Sequence, residues 1–132
     1  MHRPTDFLQS GYRVGGTTGR VGTATGKTLL ERFGDSNVEI RMRAFASAAS
    51  EARMNGCEMP VVIVSGSGNQ GITASVPVAV YAQVNGMSRE QLIRATTVSD
   101  LLTIYQKSFI GRLSAFCGAV SAGAAPPPGS AF

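Results

Sequence analysis

A mainly α-helical domain, with a glycine-rich loop leading into a buried helix, is the architecture this chain predicts. Three observations carry the prediction. The segments from Val38 to Asn55 and from Arg89 to Lys107 place apolar residues at the three- and four-residue spacing of a helix face. Helix punctuation stands at their ends: Asp35-Ser36-Asn37 and Ser88 can cap helix starts, while Gly34, Gly56 and Asn85-Gly86 can stop helices. Between them the run Ser65-Gly66-Ser67-Gly68-Asn69-Gln70-Gly71 follows the apolar stretch Pro60 to Val64 and opens an Ala/Val-rich segment.

The elements follow in chain order. Residues 1–25 are rich in Gly and Thr and are expected to be loop or disordered. A short helix is expected from Lys27 to Phe33, stopped at Gly34. From Val38 to Asn55 the positions Val38, Met42, Phe45, Ala46, Ala49, Ala52 and Arg53 form a stripe expected to face a core, with Gly56 as a glycine C-cap. The segment Ile72 to Val84 is apolar nearly throughout, so it reads as buried helix, and Pro77 within it is expected to kink or restart it. Ser88 with Gln91 three residues on forms a capping box for a helix from about Arg89 to Lys107. Its positions Leu92, Ile93, Thr96, Leu101, Ile104 and Tyr105 suit a buried face. A last helix, roughly Arg112 to Gly123, consists largely of Ala, Ser and Gly, small residues that allow close approach. The prolines at 126, 127 and 128 cannot continue it, so residues 125–132 are expected to be an unstructured tail.

The glycine-rich run carries the clearest chemistry. Three glycines in seven positions allow tight turns and a close approach of backbone to a ligand. Ser65, Ser67, Asn69 and Gln70 between them supply hydroxyls and carboxamides that donate or accept hydrogen bonds. If Gly71 or Ile72 begins a helix, its free N–H groups and positive dipole end face the same space. Such a place suits the carboxylate of a small molecule. A plain turn between a strand and a helix is the other reading of the same residues.

Composition excludes several function classes. A chain of 132 residues, 43% apolar and 15% charged, is an ordinary globular composition with room for at most one modest domain. No stretch approaches the roughly 18 apolar residues of a membrane span, and the N-terminus Met1 to Asp6 has no apolar core of a secretory signal. The net charge of +4 is mild, and its basic residues are spaced singly among acids, which argues against nucleic acid. A cytoplasmic location is the expectation. Gly22-Thr23-Ala24-Thr25-Gly26-Lys27-Thr28 mimics a phosphate-binding loop, but only three residues separate its glycines and Val21 stands where glycine is required. Cys57 and Cys117 belong to no C-x-x-C pair and the only histidine is His2, so a self-contained zinc site is excluded. Without family information both cysteines read as buried structural thiols.

Several longer words change that reading. Arg53-Met54-Asn55-Gly56-Cys57-Glu58-Met59-Pro60-Val61-Val62, Ser65 through Ile72, and Ser75-Val76-Pro77-Val78 resemble the alpha chain of iron–sulfur-dependent L-serine dehydratase. They are most similar to the branch that includes the L-cysteine desulfidases. Ile104-Tyr105-Gln106-Lys107 and Gly111-Arg112-Leu113-Ser114-Ala115-Phe116-Cys117-Gly118-Ala119-Val120 agree as well. The resemblance covers about Gly26 to Gly123, and residues 26–124 are read as part of such a domain. It implies a helical fold around a [4Fe–4S] cluster held by three cysteines. The implied reaction is α,β-elimination, serine giving pyruvate and ammonia, and cysteine giving sulfide in addition. Cys117 then matches the first cluster ligand. Ser65, Ser67, Asn69 and Gln70 match the segment expected to hold the substrate carboxylate and amine. A cluster held by three thiolates leaves one iron open to act as a Lewis acid on the β-substituent. Cys57 receives no role beyond a structural thiol, and Lys107 is expected to be a solvated lysine at a helix end. The general base stays open among Cys57, Lys107 and a group outside the chain.

The family's other two cluster cysteines lie beyond the position of Cys117, and the chain ends before them. One thiolate cannot hold a cubane, so the chain is expected to be a fragment, inactive by itself and not retaining the cluster. The implied partners are a small amino-acid substrate and either a second copy or the missing remainder of the domain, with no nucleic acid and no membrane. The alternative is a non-catalytic helical module that binds an amino acid or a partner subunit through the Ser65 loop.

Overall fold

The computed structural model describes residues 24–57, 60–111 and 114–124. Among them are five helices, α1 (Ala24–Phe33), α2 (Val38–Met54), α3 (Gly68–Val84), α4 (Arg89–Ile110) and α5 (Gly118–Ala124). No strand occurs among the described residues; the sole pairing is an isolated antiparallel bridge between Val64 and Ser67. The fold is therefore mainly α. The expected unstructured tail and most of the expected N-terminal loop lie outside the described residues, although α1 already begins at Ala24, within that loop. The chain divides into two compact units, Met1–Pro60 and Val61–Phe132.

In the first unit α1 and α2 form a helical hairpin. Asn37 caps α2, its Oδ1 accepting from Glu39 N at 2.9 Å and Ile40 N at 3.5 Å. The seam is made of small residues: Ala44, Ala48, Ala49 and Ala52 are buried, and a Cβ at Gly26 would stand 2.5 Å from Ala44 O. So close an approach leaves no room for bulk, which corrects the expected stripe. Val38, Met42, Phe45 and Ala46 are only half-buried beside the seam, and Arg53 is exposed. Thr25 Oγ1 donates to Glu51 Oε1 across the pair at 2.5 Å. At the end of α2, Gly56 N bonds Arg53 O and Cys57 N bonds Ala52 O, with Gly56 at φ +84. That is the glycine-terminated double bond of a Schellman cap, as expected.

In the second unit α3 is central, packed by α4 and α5. It is buried almost all round, through Ile72, Ala74, Val76, Val78, Val80 and Ala82, as a helix apolar on every side must be. Pro77 does not restart it: α3 runs unbroken from Gly68 to Val84, because burial on both sides outweighs the about 3 kcal/mol an interior proline costs. The turn at Asn85 repeats the cap of α2, and the Ser88–Gln91 capping box is formed in both directions, at 2.9 and 3.3 Å.

Helix α4 corrects the expectation most sharply. Its buried residues are Ser99, Thr103 and Lys107, whereas Ile93, Leu101, Ile104 and Tyr105 are exposed and Leu92 and Thr96 half-buried. Ser99 Oγ donates to Ala74 O at 2.7 Å, fixing the register of α4 on α3. Small and polar side chains take the α3 seam, and the apolar stripe, with Phe109 edge-on to Tyr105 at 5.0 Å, faces outward. The last helix is shorter than expected, starting at Gly118 rather than near Arg112.

Candidate active site at the start of α3

The glycine-rich run folds into two parts. Val64 and Ser67 exchange backbone hydrogen bonds at 3.2 Å each, closing a two-residue turn in which Ser65 and Gly66 have φ of +48 and +88. Positive φ at both central positions is the geometry of a type I′ hairpin, natural for glycine and unusual for serine. The helix then starts at Gly68, three or four residues before the Gly71 or Ile72 expected. Ser67 is its N-cap, its Oγ accepting from Gln70 N at 3.4 Å. Asn69 and Gln70 are thus first-turn helix residues rather than loop residues. The approach to this turn is tight, since a Cβ at Gly71 would run into Val62 O.

Gln70 is fully buried, and neither Nε2 nor Oε1 has a hydrogen-bond partner. An unsatisfied buried carboxamide is expensive, about 1–3 kcal/mol, and uncommon in folded proteins. Gly118, the first residue of α5, abuts it: a Cβ there would collide with Gln70 Oε1 and lie 3.1 Å from Gln70 Cβ. The α5 start and its preceding residue Cys117 therefore border the first turn of α3.

Cys117 is exposed, contrary to the reading without family information that it is buried. Its thiol is held below the ordinary range, chiefly by the backbone N–H groups of Val120 and Ala119 and, to a lesser degree, by the positive charge of Lys107; slight desolvation opposes them. A lowered thiol pKa favours the thiolate, the form that acts as nucleophile or metal ligand. Cys57 belongs to the first unit, half-buried just past the α2 cap.

Lys107 is not the solvated lysine expected of a helix end. It is 4% exposed, because α4 continues one more turn to Ile110, and its Nζ donates to Ser114 Oγ at 3.1 Å. Ser114 Oγ in turn donates to Phe116 O at 3.3 Å. One turn back, Thr103 is 1% exposed and its Oγ1 has no partner. Gln70, Thr103, Lys107, Ser114 and Cys117 thus belong to the same unit, the first three buried, Ser114 half-buried and Cys117 exposed. Ser67 is committed to capping and Ser65 is half-buried in the turn. Thr103 and Ser114 are not singled out by the sequence, and Lys107 enters there only as one open candidate for the general base. The signal available was the polar series Ser99, Thr103, Lys107, spaced by four along one helix face.

As a cluster site the described residues are incomplete. Among them no group of three or more His, Cys, Asp or Glu side chains converges, and a cubane held by three thiolates needs two more than Cys117 supplies. Cys117 is an exposed thiol whose thiolate form is favoured; a set of three thiolates is not present among the described residues. Also among these residues, no helix is long and apolar enough to cross a membrane.

Comparison with known proteins supplies the family. A UPF0597 protein of Lachnoclostridium phytofermentans is 52% identical over 111 residues, covering 84% of this chain and 26% of the relative. One from Desulfitobacterium hafniense is 50% identical over 117 residues, 89% of this chain and 27% of the relative. One from Treponema denticola is 54% identical over 108 residues, 79% and 25% respectively. The chain spans about a quarter of the length of these curated relatives. No solved structure is significantly similar to it. Residues 5–127 match the family model described as the serine dehydratase alpha chain, and the chain belongs to that family.

Proposed function

We propose that this chain forms the amino-acid-binding part of a lyase that carries out α,β-elimination on L-serine or L-cysteine. Pyruvate and ammonia are the products, with sulfide in addition from cysteine. The observation that carries the reading is Gln70, a buried carboxamide with no partner, set in the first turn of α3 beside the Cys117-Gly118 start of α5. Unsatisfied buried groups of this kind are tolerated where a ligand completes them. Family membership supports a lyase; the chemistry of the site supports a small, polar, anionic ligand.

The residues divide the work as follows. The α3 N-terminus, with its capped but positively polarised first turn, receives the substrate carboxylate. Gln70 fixes its orientation, and the Ser65-Gly66 turn and Asn69 border the amine. Holding a small substrate at several points restricts it to the geometry in which the α-hydrogen and the β-substituent can leave together. Cys117 is one thiolate of the [4Fe–4S] cluster that the family resemblance implies, and the other ligands come from polypeptide beyond the described residues. The same remainder of the family domain is the partner for the exposed apolar face of α4, which a protein four times as long has ample chain to cover.

The test is a segment exchange. Residues 24–124 of this chain replace the matching segment of the Lachnoclostridium phytofermentans relative, and pyruvate release from L-serine and L-cysteine is followed without oxygen. Release by the parent and by the exchange protein, lost on Gln70→Ala, is the expected result. A parent that releases pyruvate and an exchange protein that folds but does not would overturn the reading, as would a parent inert toward both amino acids.

A further inference from the structure

We propose that Lys107, with Thr103 and Gln70, is the carboxylate-recognition subsite of this chain. The inference rests on the reading that an amino acid occupies the α3 start, and it names the charge that selects it. A lysine ammonium buried to this degree needs a counter-charge or a full set of acceptors. The structure gives it one neutral hydroxyl, Ser114 Oγ at 3.1 Å. The nearby carboxylates do not fill the gap. Glu90 is paired with Arg94 at the far end of α4, and Asp100 lies two helical turns before Lys107 with its Oδ1 unpartnered. The titratable group that faces Lys107 from the neighbouring element is Cys117, whose exposed thiol feels its charge.

Register places the remaining groups. Helices α3 and α4 run antiparallel through a short turn, and Ser99 donates to Ala74 O. One turn toward the start of α3 is Gln70; one turn toward the end of α4 is Thr103, so the two unsatisfied side chains share a level. A further turn, about 6 Å along α4, brings Lys107 past the first residue of α3, where the helix N-terminus points. A carboxylate has about four lone-pair positions. Two oxygens there accept from Lys107 Nζ, Gln70 Nε2 and Thr103 Oγ1 together, and each of those groups lacks a sufficient partner without it. One ligand chemistry accounts for three separate anomalies of the buried seam.

The experiment measures binding of L-serine and of L-serinamide, which lacks the carboxylate, to the full 132-residue chain by calorimetry. We expect serine to bind at least about tenfold more tightly, the size of one charge-assisted hydrogen bond. In Lys107→Met that preference collapses to within about twofold of unity, and Lys107→Arg restores part of it. A preference that persists unchanged in folded Lys107→Met, equal binding of the two ligands, or no binding of either overturns the proposal. Failure of the lyase reading is distinct, since it shows as missing pyruvate release while the serine preference stands.

Discussion

Replacing Gln70 by methionine is expected to stabilise the protein while abolishing ligand recognition. Gln70 is fully buried with both carboxamide atoms unpartnered, so folding strips water from a donor and an acceptor without return. Each such group costs about 1 kcal/mol or more in measured series, which sums to about 1–3 kcal/mol for the side chain. Methionine has nearly the same length and volume and no polar group, so it fills the same space against Gly118 without a new cavity. The expected gain is therefore about 1–2 kcal/mol after allowance for imperfect packing, read as a higher urea midpoint with an unchanged slope. Serine binding, measured on the same sample, is expected to fall at least tenfold, about 1.4 kcal/mol. Stability gained where function is lost is the signature of a residue kept for a ligand. A Gln70→Met protein that is destabilised by 1 kcal/mol or more would refute the reasoning, because it would show that the carboxamide is satisfied in the folded state.

Three further outcomes follow from the packing and electrostatics. Gly26→Val drives a side chain into Ala44 O and is expected to destabilise the α1–α2 hairpin by about 1–3 kcal/mol, measured by thermal unfolding. Burial holds the Asp100 carboxyl above its ordinary range, so its folded-state pKa exceeds the unfolded one. Stability from this group is complete below the unfolded pKa and is lost as pH rises through the folded pKa. Asp100→Asn is therefore expected to stabilise the chain at neutral pH and to lose that advantage in acid; a gain that grows toward acid contradicts the sign. In a Cys57→Ser background, alkylation of Cys117 by iodoacetamide should show its half-maximal rate at lower pH than free cysteine, and Lys107→Met should move it upward.

Local signals in this chain predict local structure well. Asn37, the Ser88–Gln91 pair and Gly56 do what their chemistry requires, because a cap is satisfied by residues within one turn of it. Packing direction was less legible. On α4 the apolar spacing pointed Leu101, Ile104 and Tyr105 inward, yet the α3 surface it meets is so close that Ser99 and Thr103 fit there and Tyr105 does not. Periodicity identifies a face; it does not say what that face meets. The restart expected at Pro77 fails for the same reason, since a buried helix tolerates an interior proline that would break an exposed one. The site was half legible. Gln70 and Cys117 stood out through their words and spacing, but the burial of Lys107 depends on α4 running to Ile110 and on Ser114 folding back to it.

The side-chain amide of Gln70 reports on the central claim most directly. In a 15N-labelled chain its two protons are expected to resonate as unbonded amides, and one of them is expected to move downfield as L-serine is added and it meets the carboxylate. If those resonances stay in place while serine saturates the protein, the amino acid sits elsewhere, and the start of α3 is not its binding site.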